Sequence, residues 1–431
     1  MHNADITLDS ISKVEGHAKL ELRIRDGKAE YAHYEIAEAK RFYTRAIEGK
    51  PLAAIPQLLS RICGTCSNAH QMAAIEACEA AAGISPSGQT MLLRHLTMYA
   101  LNIRDHALHL YLFAMPDIYG VDNFLSFDEN DEEQHQHLHD CFAIKAAGNY
   151  LAEIVAGRSV HALSHVVGGM TKVPTKEQTE EAVKKLEAIR PAVLRCIETF
   201  RKAPFHLDRN MNYLALVPTG NFWYMDGDVV CSDGDRWDEK KFRDLLEHKI
   251  LPYSTASAYT HEGEPFMVGA LARLNLAKDA LHDRTKETLG STLDVFPSTD
   301  IFHNNLAQAI EILHALDHSI ELLQAHEFKA EAPIKAEKKA GVGIGVVEAP
   351  RGTLYHRIET GADGNVVKGE VIVPTGQNQI NIERDIVELV NGLLPDVEQE
   401  KIEMEIEKLI RAYDPCMSCA THFLKVKWNV I

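Results

Sequence analysis

The sequence predicts a mainly α-helical α+β fold, in which a central bundle of long helices carries small antiparallel β-sheets at its edges and knuckles from the N- and C-terminal regions meet at a buried metal site. Three observations predict it. Apolar residues recur at helical spacing over four long stretches, apolar and polar residues alternate around two turn signals, and a Cys-x-x-Cys pair stands towards each end of the chain.

Ile6 to Ala37 alternate around Asp26-Gly27, a two-residue hairpin signal, so the chain opens with antiparallel strands. Helical periodicity then runs from Gln89 to Ala114, Glu133 to Ala156, Lys176 to Arg201 and Phe302 to Ala325. Helices of this length bury their apolar stripes best against one another, as a bundle. Gly341-Val342-Gly343-Ile344-Gly345 lacks the preceding strand and following helix of a dinucleotide-binding turn, and reads as a loop lying close to the metal site. A second hairpin, Thr353 to Glu359 and Val366 to Pro374, turns through Gly361-Ala362-Asp363-Gly364. One more helix, Val397 to Ala412, delivers the last cysteine pair. The Glu- and His-rich run Asp128 to Asp140 reads as a solvated helix face rather than a metal-storing tract.

A chain of 431 residues with 45% apolar residues can bury a large core. Length alone suggests about three domains, but no linker-like segment divides residues 1–431, so one continuous unit is expected. The net charge of −17 argues against nucleic acid and against anionic membrane surfaces as partners. No apolar run is long enough to span a bilayer, and Met1-His2-Asn3-Ala4-Asp5 begins no signal peptide, so the cytoplasm is expected. Cys78, Cys141, Cys196 and Cys231 stand singly and read as small buried hydrophobes in a reducing compartment.

The paired cysteines are Cys63 and Cys66, then Cys416 and Cys419; each spacing lets both sulfurs enter one site, so meeting knuckles make a four-thiolate cage. A zinc ribbon closes a loop of about 15–20 residues between knuckles, whereas roughly 350 positions separate these. Spacing leaves zinc, nickel and iron all open.

Flanking residues carry a family resemblance. Arg61-Ile62-Cys63-Gly64-Thr65-Cys66, with His70, and Asp414-Pro415-Cys416-Met417-Ser418-Cys419, with His422, resemble the two signatures of the large, catalytic subunit of NiFe hydrogenases. Lys13-Val14-Glu15-Gly16-His17 resembles the family's N-terminal stretch, with Lys13 for the usual arginine. Asp105-His106-Ala107-Leu108-His109, Gly157-Arg158 to His161 with Gly168-Gly169, Glu348-Ala349-Pro350-Arg351-Gly352 and Val373-Pro374-Thr375 follow in the family's order. Ala162 replaces the family's proline after His161. The group most resembled is the soluble, multi-subunit one that exchanges electrons with nicotinamide, deazaflavin, ferredoxin or a disulfide reductase.

The resemblance implies reversible heterolytic cleavage of dihydrogen, which needs a Lewis acid and a base for the proton; a metal-bound thiolate supplies that base. It implies Cys66 and Cys419 bridging nickel and iron, Cys63 and Cys416 on nickel alone, and one carbon monoxide and two cyanides on the iron. It places Arg351, after Pro350, and the Thr375 hydroxyl against the cyanides, pairs Arg351 with Asp105 and Asp414, and makes Glu15 the acceptor of the proton from Cys416. Taken alone, Asp414 before a proline reads equally as the start of a turn and Glu15 as a surface carboxylate. His106 and His109 read as core histidines, and His70 as a buttress of the cysteines.

In the family the last histidine, here His422, helps bind a second metal, usually magnesium, but Thr44 stands where its glutamate partner is expected. Glu48, four residues on, is the candidate substitute for such a magnesium or iron site. The chain has no cysteine pattern for an iron–sulfur relay, so an iron–sulfur small subunit is implied, with further flavin or iron–sulfur subunits in a hetero-oligomer, and maturation proteins to build the centre. The tail Phe423 to Ile431 is of the kind a protease removes in the family, or a short strand. Two rival readings are a scaffold with a four-cysteine zinc site and no catalysis, and a relative of the quinone-binding subunit of respiratory complex I, a branch that has lost the cysteines.

Overall fold

The computed structural model describes residues 3–421; His422 and the tail Phe423 to Ile431 lie outside the described residues. Its frame is the expected bundle. Gly88–Leu108, Glu132–Ala156, Lys176–Arg201 and His303–Ala325 form a closed ring in which each helix packs on two neighbours. Side chains start three of them: Ser87 Oγ accepts from Thr90 N at 3.1 Å, Asp131 Oδ1 from Gln134 N at 2.9 Å, and Thr175 and Gln178 form a reciprocal capping box. The first helix does not run regularly to Ala114. It widens into a π turn over His109–Ala114, where His109 reaches across to Gln308 and to the Arg411 carbonyl.

The opening hairpin is observed. Ala4–Leu8, Ala18–Arg25 and Lys28–Ile36 form an antiparallel sheet whose turn residues Asp26 and Gly27 both have positive φ, as a primed two-residue turn requires. The later hairpin is also observed, as Gly352–Thr360 and Val366–Ile372. Its sheet has a third strand, Gly341–Ala349, and this corrects the loop reading of the glycine-rich segment. Alternate strand residues share a face, so Gly341, Gly343 and Gly345 all turn towards the helix Ser67–Ala82. A Cβ on them would stand 2.2, 1.9 and 2.2 Å from the carbonyl oxygens of Ala81, Ala77 and Ala73, so the strand lies directly on helix backbone.

Two helices carry no amphipathic signal. Ser67–Ala82 is alanine-rich and buried on nearly every side, and Pro374–Leu393 buries Gln377, Asn378, Gln379, Asn381 and Asp385 along with its apolar residues. A smaller sheet joins Asn212–Pro218, Gly227–Cys231, Arg236–Asp238 and Phe266–Met267, beside a hairpin of Glu247–Ile250 and Ser257–Thr260. The main core runs from Ile6 to Ala420, and a second, small core gathers Leu214, Phe242, Tyr259 and Tyr355. All four single cysteines are buried, Cys141 on the helix whose exposed start includes Glu132 and Glu133. Among the described residues no helix is long and apolar enough to cross a membrane.

Candidate metal centre

Each knuckle is formed by a change of backbone direction at a helix end. The turn Ser60–Ile62 gives way to extended backbone at Cys63, and Cys66 caps Ser67–Ala82, its carbonyl accepting from Ala69 N at 3.0 Å. At the other end the helix Gln399–Ala412 stops, Asp414 takes a left-handed φ of 50°, which aspartate tolerates better than most residues, and Cys416 follows in extended backbone. Cys416 pairs as a β-bridge with Glu15, and Met417 N donates to Glu15 O at 3.0 Å. A three-stretch junction of N-terminal segment, first knuckle and last knuckle results.

The four sulfurs converge. Cys63 Sγ lies 3.3 Å from Cys416 Sγ, Cys66 Sγ 3.0 Å from Cys419 Sγ, and Cys416 Sγ 3.0 Å from Cys419 Sγ, all buried. Hydrogen bonds from Cys416, Cys419 and Cys66 hold the Cys63 thiol well below its ordinary range, while burial pushes Cys416 and Cys419 well above theirs. One buried thiolate forms readily here and four do not, because like charges in a low dielectric repel. A cation that replaces the thiol protons removes that conflict, so the donor set fits soft, thiolate-binding metals.

The other predicted residues surround the sulfurs. Glu15 is half-buried, with Oε2 3.0 Å from Cys416 Sγ and accepting from Ser418 N at 3.1 Å. Gly16 (φ +88°) leaves room for this contact, since a Cβ there would stand 2.7 Å from Met417 Cβ. Arg351 Nη1 donates to Asp105 Oδ2 at 2.7 Å, and Nη2 pairs with Asp414 Oδ1 at 2.9 Å. Its Nε is buried without an acceptor. Although burial opposes the charge, Asp105 and Asp414, with Cys416 and Cys66 behind them, keep the guanidinium firmly protonated. Thr375 Oγ1 accepts from Cys416 N at 2.9 Å. His106 and His109 are core histidines as expected, on Glu311 at 2.8 Å and on Gln308 at 2.7 Å. His70, pushed down to about 4 by burial, stands 3.1 Å from His356 Nε2 behind the first knuckle.

Several residues around the centre left no sequence signal. Arg273 donates to the carbonyls of Ala349 and Pro350 at 3.0 and 2.9 Å, and its charge is met by Glu311 and Glu348 at 2.6 and 2.8 Å. It therefore anchors the backbone on which Pro350 presents Arg351. Gln308 fixes Asp414 through a 2.9 Å bond, and Arg104 holds the Thr65 carbonyl at 2.8 Å. Arg41 joins both knuckles: its guanidinium donates to Ile62 O at 2.6 Å and to Ser418 O, and its N–H to Thr421 O at 2.9 Å. Lys13 pairs with Asp117 at 2.8 Å. The local helix is only Tyr43–Ala46, so Glu48, four residues after Thr44, lies beyond its end and does not share a helical face with it; it pairs with Arg45 at 2.7 Å.

A family model described as nickel-dependent hydrogenase matches residues 44–138 and 220–422. The sulfhydrogenase 1 alpha subunit of Pyrococcus furiosus is 32% identical over 428 residues, covering 98% of this chain and 98% of its own. The sulfhydrogenase 2 alpha subunit of the same organism is 32% identical over 427 residues, covering 98% and 100%. Among solved structures, an NAD+-reducing [NiFe]-hydrogenase in the H2-reduced state superposes with a TM-score of 0.85 at 26% identity, over 98% of this chain and 100% of that one.

Proposed function

This chain belongs to the nickel-dependent hydrogenase family and is a hydrogenase catalytic subunit with four cysteines at its Ni–Fe site; from that premise we propose reversible heterolytic cleavage of dihydrogen, with electrons leaving through an iron–sulfur small subunit to a soluble acceptor. The observation that carries it is the meeting of Cys63, Cys66, Cys416 and Cys419 beside the Glu15 carboxylate, with sulfur atoms 3.0 to 3.3 Å apart. When bound, the bimetallic centre supplies the Lewis acid that polarises dihydrogen.

The chain's own residues do the rest. Cys63, Cys66, Cys416 and Cys419 would hold the two metals as thiolates, their sulfurs already gathered within hydrogen-bonding reach of one another. A proton arriving on Cys416 Sγ passes to Glu15 Oε2 at 3.0 Å, from a sulfur to a half-buried carboxylate that faces outward. Arg351, kept charged by Asp105 and Asp414, has a buried Nε without an acceptor that would be available to donate to cyanide ligands, expected with one carbon monoxide on the iron. Thr375 spends its lone pair on Cys416 N, so its hydroxyl hydrogen remains to donate. Pro350, its carbonyl held by Arg273, keeps the arginine in place. Diatomic ligands of this kind need maturation proteins to install them.

The alpha-subunit names of the relatives support assembly with a small subunit in a hetero-oligomer, with further flavin or iron–sulfur subunits upstream of the acceptor. We place the enzyme in the cytoplasm, in line with its lack of a membrane-spanning helix among the described residues, and treat residues 1–431 as one working unit. For the second metal, Glu48 is the carboxylate nearest in sequence to Thr44 and already pairs with Arg45 at 2.7 Å, while Arg41 is a cation that ties the knuckles.

Elemental analysis with infrared spectroscopy tests the reading. Nickel near one per chain, with absorption in the region of metal-bound CO and CN, is the expected result. Zinc without nickel, and no such bands, returns the chain to a four-cysteine zinc scaffold.

A further inference from the structure

A second cluster of metal-ligating side chains lies outside this centre, at the edge of the small core. Cys231 ends the strand Gly227–Cys231, and Asp233 sits in the tight turn that follows, closed by Gly234 N to Cys231 O at 3.0 Å and Cys231 N to Asp235 O at 2.9 Å. His261 arrives from a different segment, just after the strand Ser257–Thr260, its N–H bonded to Glu264 O at 2.9 Å. One ligand atom from each of the three falls within 4.8 Å of the others.

The imidazole is the informative member. His261 is 5% exposed, and its Nδ1 lies 2.9 Å from the Leu245 carbonyl. A carbonyl only accepts, so Nδ1 carries the hydrogen and Nε2 presents a lone pair. That Nε2 is buried with no hydrogen-bond partner, a costly state unless something satisfies it. A backbone carbonyl on one ring nitrogen with the other left open is the arrangement that orients metal-binding histidines. Cys231, 1% exposed, is too enclosed to serve as a nucleophile, and burial pushes its thiol up to about 11.

We propose that Cys231, His261 and Asp233 bind a zinc ion that ties the Gly227–Asp238 hairpin to the segment bearing His261. A thiolate, an imidazole and a carboxylate suit zinc, whose tetrahedral shell leaves one position for water on the side of the exposed Asp233. Binding releases the Cys231 proton to solvent, and the two positive charges of the ion then balance one thiolate and one carboxylate, so no net charge is buried. The site stands independently of the hydrogenase reading.

The test uses mature protein with its four-cysteine centre filled, washed with a mild chelator and titrated with Co2+ as a spectroscopic stand-in and with Zn2+. One equivalent should bind with a cobalt–thiolate charge-transfer band, absent from Cys231→Ser and His261→Gln, and Zn2+ should raise the unfolding temperature of the parent. Asp233→Asn, an exposed change that leaves the fold alone, should weaken cobalt binding about tenfold or more. Dye-coupled hydrogen oxidation should be unchanged in Asp233→Asn. The proposal fails if the parent gives no thiolate band, if the band survives in Cys231→Ser, or if Asp233→Asn binds cobalt as tightly as the parent.

Discussion

Glu15→Gln separates proton exit from every other task at the centre. The carboxylate has two contacts, Cys416 Sγ at 3.0 Å and Ser418 N at 3.1 Å, both on Oε2. Glutamine has the same shape, and its carbonyl oxygen still accepts from Ser418 N. It has no site for a transferable proton. Removing a positioned acid–base group slows turnover about 10²–10⁴-fold, equivalent to about 2.7–5.5 kcal/mol of barrier. The residue is half-buried and one neutral hydrogen bond is retained, so folding should change by about 1 kcal/mol or less. Dye-coupled hydrogen oxidation is therefore expected to collapse, while nickel content, infrared bands and para-to-ortho hydrogen conversion, which needs only splitting and recombination, stay near those of the parent. Turnover within a few-fold of the parent would refute the Cys416-to-Glu15 route. Loss of nickel would show instead that Glu15 holds the knuckle together.

Three further outcomes are expected. Arg41→Gln removes the charged donor shared by Ile62 O and Ser418 O, and should cost about 1.5–3 kcal/mol, read as a lower unfolding temperature and faster nickel loss to a chelator. Glu311→Gln strips Arg273 of its main counter-charge and leaves His106 an amide in place of a carboxylate, so the denaturation midpoint should drop by an amount equivalent to about 3–5 kcal/mol, with the infrared bands shifting as the Pro350-Arg351 backbone relaxes. The pH dependence of the denaturation midpoint should have two regimes. Burial pushes His95, His165 and His314 down to about 3, so the stability they contribute is complete above about pH 6.5 and is lost as pH falls towards 3. Burial raises Glu383 to about 7 and Asp385 to about 6, and the stability of their protonated forms is instead lost as pH rises through those values. With His70 and His318 also pushed down to about 4 and Glu239 raised to about 7, five imidazole protons outweigh three carboxyl protons between about pH 6.5 and 4.5, so the midpoint should already decline there and fall more steeply below about 4.5, a pattern that a midpoint level down to pH 4.5 would contradict.

The elements legible in the sequence were those with one wet and one dry face. Lys176–Arg201 matches its apolar periodicity to the residue, because both the stripe and the Thr175 cap that starts the helix are local features. Ser67–Ala82 carries no such signal, because a helix buried all round has no polar stripe, and the signal of Pro374–Leu393 is blurred by the amides it buries. The glycine-rich strand shows the same limit from the other side. Its period of two was present in Gly341, Gly343 and Gly345, but the helix backbone those glycines admit is more than 250 residues away in the chain, opposite Ala73, Ala77 and Ala81.

At the centre, residue type and spacing carried the four cysteines, because a thiolate pair is chemistry written in near-consecutive positions, whereas Glu15, Arg351 and its two aspartates were legible only through the resemblance of their flanking motifs to the hydrogenase family. Tertiary structure alone decided which sulfurs lie 3.0 Å apart, that Arg273 clasps the loop bearing Arg351, that Arg41 spans both knuckles, and that His261, with one ring nitrogen unsatisfied, comes within reach of Cys231 and Asp233. A buried charge or lone pair needs a partner wherever the chain happens to bring one, and such pairings, unlike periodicity, follow no spacing along the sequence.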